Sequence, residues 1–155
     1  MWLGTEQFRT VVASTPLVSI DLVVRNARHE LLLGRRLNRP AQGFWFVPGG
    51  RILKDETLDA AFLRLTAGEL GRPVPRSLAK PLGVFEHFYR DSIFGDEVRG
   101  PSTHYVVLAY LLSIEPDALP GLPEGQHDQY RWWSADPIRT DPAVHENTRA
   151  YLGVL

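Results

Sequence analysis

Glu69 closes a stretch in which Leu58, Ala61, Phe62 and Leu65 recur at the i, i+3, i+4, i+7 spacing of a buried helical stripe. At about 100° per residue its carboxylate falls close to the direction of Leu58. An unpaired charge on such a face is very costly, so Glu69 requires a cation, either an arginine or a metal. Just ahead, Pro48-Gly49-Gly50 places two glycines where backbone carbonyls or amides can approach an ion or a phosphate closely. The carbonyl of Gly49 and the carboxylate of Glu69 are oxygen donors of the kind that suits Mg²⁺ or Mn²⁺, and Mg²⁺ commonly leaves several positions to water and substrate phosphate. Arg36, Arg51 and Arg64 carry guanidinium forks that can bind phosphate oxygens bidentately. Gln126-His127 adds an amide oxygen and an imidazole whose ordinary pKa near 6.5 lets it take a proton from water at neutral pH. Each feature alone also has a plainer reading: a Gly-Gly turn, solvated arginines, an exposed Gln-His pair, a core glutamate in a salt bridge.

The elements that must hold these residues can be read in order. Thr5 to Ala13 has mixed helical character and is punctuated by Pro16. Leu17 to Val24 is a β-branched strand carrying Asp21, with Leu31 to Leu33 as its expected hairpin partner. Phe44 to Val47 predicts a short strand stopped by Pro48-Gly49-Gly50. A helix follows over about Thr57 to Leu70, ended by Gly71 and Pro73. Within it Arg64 and Gly68 lie one turn apart, so glycine removes the side chain that would have faced Arg64. Leu82 to Tyr89 and His104 to Leu112, carrying His87 and Tyr105, are strands joined by a polar loop, Arg90 to Ser102, long enough to be a lid or a specificity element. Tyr130 to Trp133 is a last short strand and Val144 to Leu152 a helix. Strands mixed with two or three helices give an α+β class.

Composition narrows the function. The 155 residues are 44% hydrophobic, enough for one domain over 1–155 with its own core and too few for two. A net charge of −1 supplies no field for gripping a nucleic-acid backbone, so phosphate binding must come from a local arginine cluster. The absence of cysteine excludes disulfides, thiolate metal sites and cysteine nucleophiles. Met1 to Phe8 has no basic stretch leading into an apolar core, and no apolar run reaches the roughly 18 residues that span a bilayer. The expectation is a cytoplasmic protein with no membrane partner.

Between Gly50 and Gly71 the chain resembles a Nudix box, with Gly50, Glu56, Arg64, Glu69 and Gly71 in register. Leu65 and Gly68 stand where that pattern has glutamates, and Thr66 and Arg72 where it has aliphatic residues. Outside the box, Ser14 to Ser19, Asn38 to Gly43, Trp45 to Arg51, Thr103 to Leu108, Gln126 to Asp128 and Val144 to Asn147 are similar to one branch, the GDP-mannose mannosyl hydrolases. This likeness runs from Phe8 to Tyr151, and the branch shares the reduced box. It implies the Nudix fold, an α/β/α sandwich around a mixed sheet, and a homodimer to which Trp2, Leu3 and Phe8 are candidate apolar contacts.

The resemblance also implies a reaction: GDP is displaced from the anomeric carbon of GDP-α-D-mannose or GDP-glucose, with inversion. It implies one Mg²⁺ (or Mn²⁺) on Gly49, Glu69 and Gln126. His127 is then the general base, and Arg36, Arg51 and Arg64 face the departing diphosphate. Asp21, His87, Tyr105 and Phe8 match substrate-side positions. Two other readings stay open. One is a Nudix pyrophosphohydrolase that cleaves a nucleoside diphosphate derivative at phosphorus. The other is a nucleotide-sugar-binding module without turnover.

Overall fold

The computed structural model describes residues 1–119, 121–122 and 127–155, except for the side chains of 127 and 128. In chain order the elements are α1 (Thr5–Ser14), β1 (Leu17–Arg25), β2 (Leu31–Arg36), β3 (Trp45–Phe46), β4 (Gly49–Arg51), α2 (Leu58–Leu70), β5 (Lys80–Tyr89), β6 (Thr103–Ser113), β7 (His127–Trp133), α3 (Ala135–Thr140) and α4 (Glu146–Arg149). A 3₁₀ turn over Ala150–Val154 continues α4. The strands form a mixed sheet in the order β3-β2-β1-β6-β5, with β4 added on β1 and β7 on β2. Among the described strands only β1 and β6 run parallel, from Leu17 opposite Tyr105 to Arg25 opposite Ser113. No helix among the described residues is long and apolar enough to cross a membrane.

Alternate residues of the central strands feed two cores, one on each face of the sheet. Ile20, Leu22 and Val24 of β1 join Tyr110 and Leu112 of β6 beneath Ala61, Phe62, Leu65 and Leu70 of α2. On the other face, Val23, Leu33 and Phe46 pack with Ile138, Val144 and Tyr151 from the C-terminal segments. Both faces of β1 are thereby buried, which accounts for its nearly unbroken apolar run and leaves Asp21 as an exception needing its own explanation. The architecture is the expected α/β/α sandwich in the α+β class.

Helix α2 begins and ends as its sequence dictates. The Thr57 hydroxyl accepts from the Ala60 N–H at 3.1 Å, and Gly71 takes the left-handed conformation at φ 71°. Leu58, the first residue of the helix, departs from the expected stripe, being 37% exposed. Thr66 replaces it as the buried position out of pattern: its hydroxyl donates to the Phe62 carbonyl at 2.9 Å and accepts the Val74 N–H at 2.8 Å. A polar residue therefore fits an aliphatic place because both halves of the hydroxyl are satisfied.

Two strand pairings and the C-terminal helices differ from the sequence reading. The β1–β2 hairpin closes with a single register pair, Arg25 opposite Leu31, after which β2 turns to β7 and β3. The strand over Trp45–Phe46 does end ahead of Pro48, but Gly49 to Arg51 then form a further strand, paired with Asp21 to Ser19. The C-terminal helix starts at Glu146, not Val144, and a further short helix, Ala135–Thr140, precedes it.

Candidate functional site

A cavity of about 320 Å³ opens where β4, α2, β2 and the ends of β5 and β6 converge. Its wall includes Phe8, Asp21, Arg36, Gly49, Arg51, Arg64, Glu69, His87 and Tyr105. Residues from Trp2 to Tyr105 are thus brought to one volume. Gln126 and the side chain of His127 lie outside what the structure describes. The backbone of His127 opens β7 opposite Arg36, so that strand leads to the cavity wall.

The acidic side is built on β1 and α2. Asp21 is 6% exposed, and its Oδ2 accepts from the Tyr151 hydroxyl, which is itself fully buried. Burial pushes the Asp21 carboxyl up to about 7, against the hydrogen bond from Tyr151 and the charge of Arg36. Glu69 is likewise pushed up to about 7 by burial, with Arg36 again opposing. Arg36 is positioned between these effects by its own backbone neighbour, its Nε donating to the Pro40 carbonyl at 2.9 Å. Gly49 is held so close to β1 that an added Cβ would collide with the Ile20 carbonyl and reach Asp21 Oδ1 at 2.8 Å. Only glycine allows β4 to pair there.

The basic side has two arginines in different roles. Arg64 forks onto Glu56, Nε to Oε1 at 2.6 Å and Nη2 to Oε2 at 2.9 Å, and Nη2 also donates to the Arg51 carbonyl at 2.8 Å. Glu56 Oε2 in turn accepts the Leu53 N–H at 2.8 Å, and the Arg64 contact holds its carboxyl below the usual range. This network ties the 51–57 loop to α2, so Arg64 positions Arg51 as well as lining the cavity. The Arg51 guanidinium lies 4.3 Å from the centre of the Phe8 ring and 5.9 Å from that of Trp2. The face expected beside Arg64 at Gly68 is open space, with nothing within 4 Å of an added Cβ.

His87 and Tyr105 are paired across β5 and β6. His87 is buried against the Phe46 and Tyr151 rings, and burial with nearby His145 lowers its pKa to about 4. It is therefore a neutral imidazole at physiological pH. Burial raises the Tyr105 hydroxyl, with Arg36 and Arg51 opposing, so it too stays protonated and can donate. Phe8 is half-buried between Arg51 and Phe94. Trp2, a candidate apolar contact of the homodimer, also lines the cavity while 72% exposed. Tyr151, Tyr89, Ser92, Ile93 and Thr103 were not expected at the site. For Tyr151 no local signal exists, since its partner is 130 residues away.

Among the described residues, no group of three or more His, Asp or Glu side chains gathers to hold a metal. Leu65, where a box glutamate is expected, is buried against Gly50. The donors left are Glu69 and the Gly49 backbone on the cavity wall. A half-buried carboxyl whose ionisation is resisted by burial gains most from a nearby cation. This set fits one divalent ion whose remaining positions go to water or phosphate.

A family model for the NUDIX domain matches residues 15–152. The low-salt glycan biosynthesis protein Agl8 of Haloferax volcanii is 43% identical over 129 residues, covering 81% of this chain and 76% of that protein. Among solved structures, the MutT NUDIX hydrolase from Burkholderia pseudomallei superposes with a TM-score of 0.68 at 25% identity, covering 92% of this chain and 99% of that one. The MutT protein from Methanosarcina mazei Go1 gives a TM-score of 0.70 at 19% identity over 90% and 93% of the two chains, a likeness of fold. The Gly50–Gly71 segment builds a cavity wall, and the family model covers nearly the whole chain. This chain belongs to the NUDIX family.

Proposed function

We propose that the protein hydrolyses GDP-α-D-mannose, and also GDP-glucose, to GDP and the β-anomer of the free sugar. The observation that carries this reading is the pairing of a depleted acid set with a rich basic one: Glu69 stands without carboxylates at Leu65 and Gly68, while Arg36, Arg51 and Arg64 share its cavity. The usual multi-metal attack on phosphorus would draw on more carboxylate ligands than the described residues gather here. Departure of a diphosphate needs positive charge where the leaving group gathers its own, which is what the arginines supply. The low-salt glycan biosynthesis role in the name of the 43% identical relative is compatible with a nucleotide-sugar substrate.

In this reading Gly49, Glu69 and Gln126 hold one Mg²⁺, which neutralises the diphosphate when bound. Arg51, steered by the Arg64–Glu56 fork, faces the β-phosphate, and Arg36 answers both cavity carboxyls. Neutral His87 and protonated Tyr105 offer hydrogen bonds to sugar hydroxyls, and Asp21 accepts one. His127 removes the proton from the attacking water, a role worth about 10²–10⁴ in rate. The cavity of about 320 Å³ lies at the lower end of ligand-site volumes, so part of a nucleotide sugar would extend past the mouth, where Trp2 is exposed. A homodimer belongs to the same reading, and a monomer mass in sedimentation would remove it.

Hydrolysis in ¹⁸O-labelled water decides the target atom. Label in the sugar with GDP as the product is expected. Label in GDP would exclude attack at carbon, GMP as the product would instead establish a pyrophosphohydrolase, and no turnover of any GDP-sugar with Mg²⁺ would leave a binding module.

A further inference from the structure

Side chains of the C-terminal segment reach back to polar groups on the cavity wall. The Tyr151 hydroxyl donates to Asp21 Oδ2, and Asn147 Nδ2 donates to the Tyr89 hydroxyl at 3.1 Å. Asn147 is itself fixed at the start of α4, where its backbone N–H donates to His145 Nδ1 at 3.1 Å. Tyr89 ends β5, its ring centre 5.4 Å from that of His145, 6.4 Å from that of His87 and 6.5 Å from that of Tyr105. Burial raises the pKa of its hydroxyl, and the charges of Asp21 and Arg36 both reach it. The phenol oxygen therefore keeps its proton and lies on the Asp21 side of the cavity that both residues line.

These hydrogen bonds leave opposite capacities free. Tyr151 occupies Asp21 Oδ2, and among the described residues no donor meets Oδ1, an acceptor once the carboxyl is ionised. A phenol oxygen that accepts from Asn147 still has its own O–H, and among the described residues that proton has no acceptor. An acceptor and a donor on one side of a cavity match a hydroxyl, which gives one hydrogen bond and takes another, whereas an ionised phosphate oxygen only accepts. We propose that Tyr89 is a specificity-determining residue whose O–H donates to a sugar hydroxyl of the nucleotide sugar, and that Asn147 is a positioning residue that keeps this proton available by filling the acceptor side of the same oxygen. This rests on the nucleotide-sugar reading above, in which Asp21 and His87 meet sugar hydroxyls.

The test is calorimetric binding, with Mg²⁺, of GDP and of a GDP-mannose analogue with a methylene group in place of the anomeric oxygen, which cannot be hydrolysed at the sugar. Tyr89→Phe keeps the ring among its neighbours and removes only the hydroxyl. Asn147→Asp keeps a hydrogen bond to Tyr89 but reverses it, since a carboxylate only accepts, and so withdraws the Tyr89 proton from the cavity. An acidic residue in the first turn of α4 does not endanger folding. One neutral hydrogen bond is worth about 3- to 10-fold in affinity. Each variant should weaken binding of the analogue by about that factor and of GDP by less than about twofold. Asn147→Asp should add less than about twofold in the Tyr89→Phe background, a coupling that a merely structural Asn147 would not show. Unchanged affinity for the analogue in Tyr89→Phe, an equal loss for GDP, or a full loss from Asn147→Asp that persists beside Tyr89→Phe overturns the proposal. Because the analogue reads binding without turnover, a wild type that binds it yet releases no GDP from GDP-mannose refutes the proposed reaction and still decides the role of Tyr89.

Discussion

Asp21 is the residue whose chemistry costs the fold most plainly. Its carboxyl titrates near 7 in the folded chain against an ordinary value of 3.8, so between those limits the folded protein keeps a proton that the unfolded chain has released. Stability from this group is therefore fully present below about 4 and is lost as pH rises through 7. Asparagine in its place cannot ionise, yet still accepts the Tyr151 hydroxyl. Asp21→Asn should raise Tm by about 5–10 °C at pH 8.5, and the gain should shrink to near zero by pH 4.5. A series of thermal melts across that range checks it; a difference that does not vary with pH would mean that Asp21 is not strained by burial. The sequence made half of this visible. A carboxylate inside an apolar strand announces that a partner is needed, but Tyr151, far along the chain, could not be named from local pattern.

Helix α2 and strand β4 show which elements are legible and why. The helix was readable to within a residue because its cap, its periodicity and its terminal glycine are all local signals. Strand β4 was hidden because glycine has no strand propensity; its pairing follows from the room that Gly49 leaves beside Ile20 and Asp21. The hairpin of β1 with β2 was overestimated for the converse reason, since chain proximity suggested a partnership that β6 and β7 take over. The two glycines of the box region should then respond oppositely to one added methyl. Gly68 has open space around it inside a helix, so Gly68→Ala should gain about 1 kcal/mol and roughly 2–4 °C in Tm. Gly49→Ala drives a Cβ into β1 and should lose about 1–3 kcal/mol. Melts of both variants beside the wild type test this, and a destabilised Gly68→Ala would mean that the missing glutamate left a site that something else fills.

Across the whole molecule the cavity is walled by parts of α1, β1, β2, β4, α2, β5 and β6, so no single element can hold a ligand alone. A ligand bound there ties both faces of the sheet together and must be released before the chain unfolds. The net charge of −1 gives no general attraction for a diphosphate, leaving the local arginines and any bound cation to supply it. Glu69 and Asp21 oppose an anion at the same place, each held near 7 by burial and partly answered by Arg36. A divalent ion at Glu69 would turn that repulsion into attraction, which makes the two ligands cooperative. GDP at 100 times its Kd with Mg²⁺ present should stabilise the fold by about 2.7 kcal/mol, a rise of roughly 5–10 °C in Tm. The same GDP with EDTA should give a markedly smaller shift, and Mg²⁺ alone a small one. Equal shifts for GDP with and without the metal would place the cation outside the nucleotide site, and the one-metal reading of Gly49 and Glu69 would fall with it.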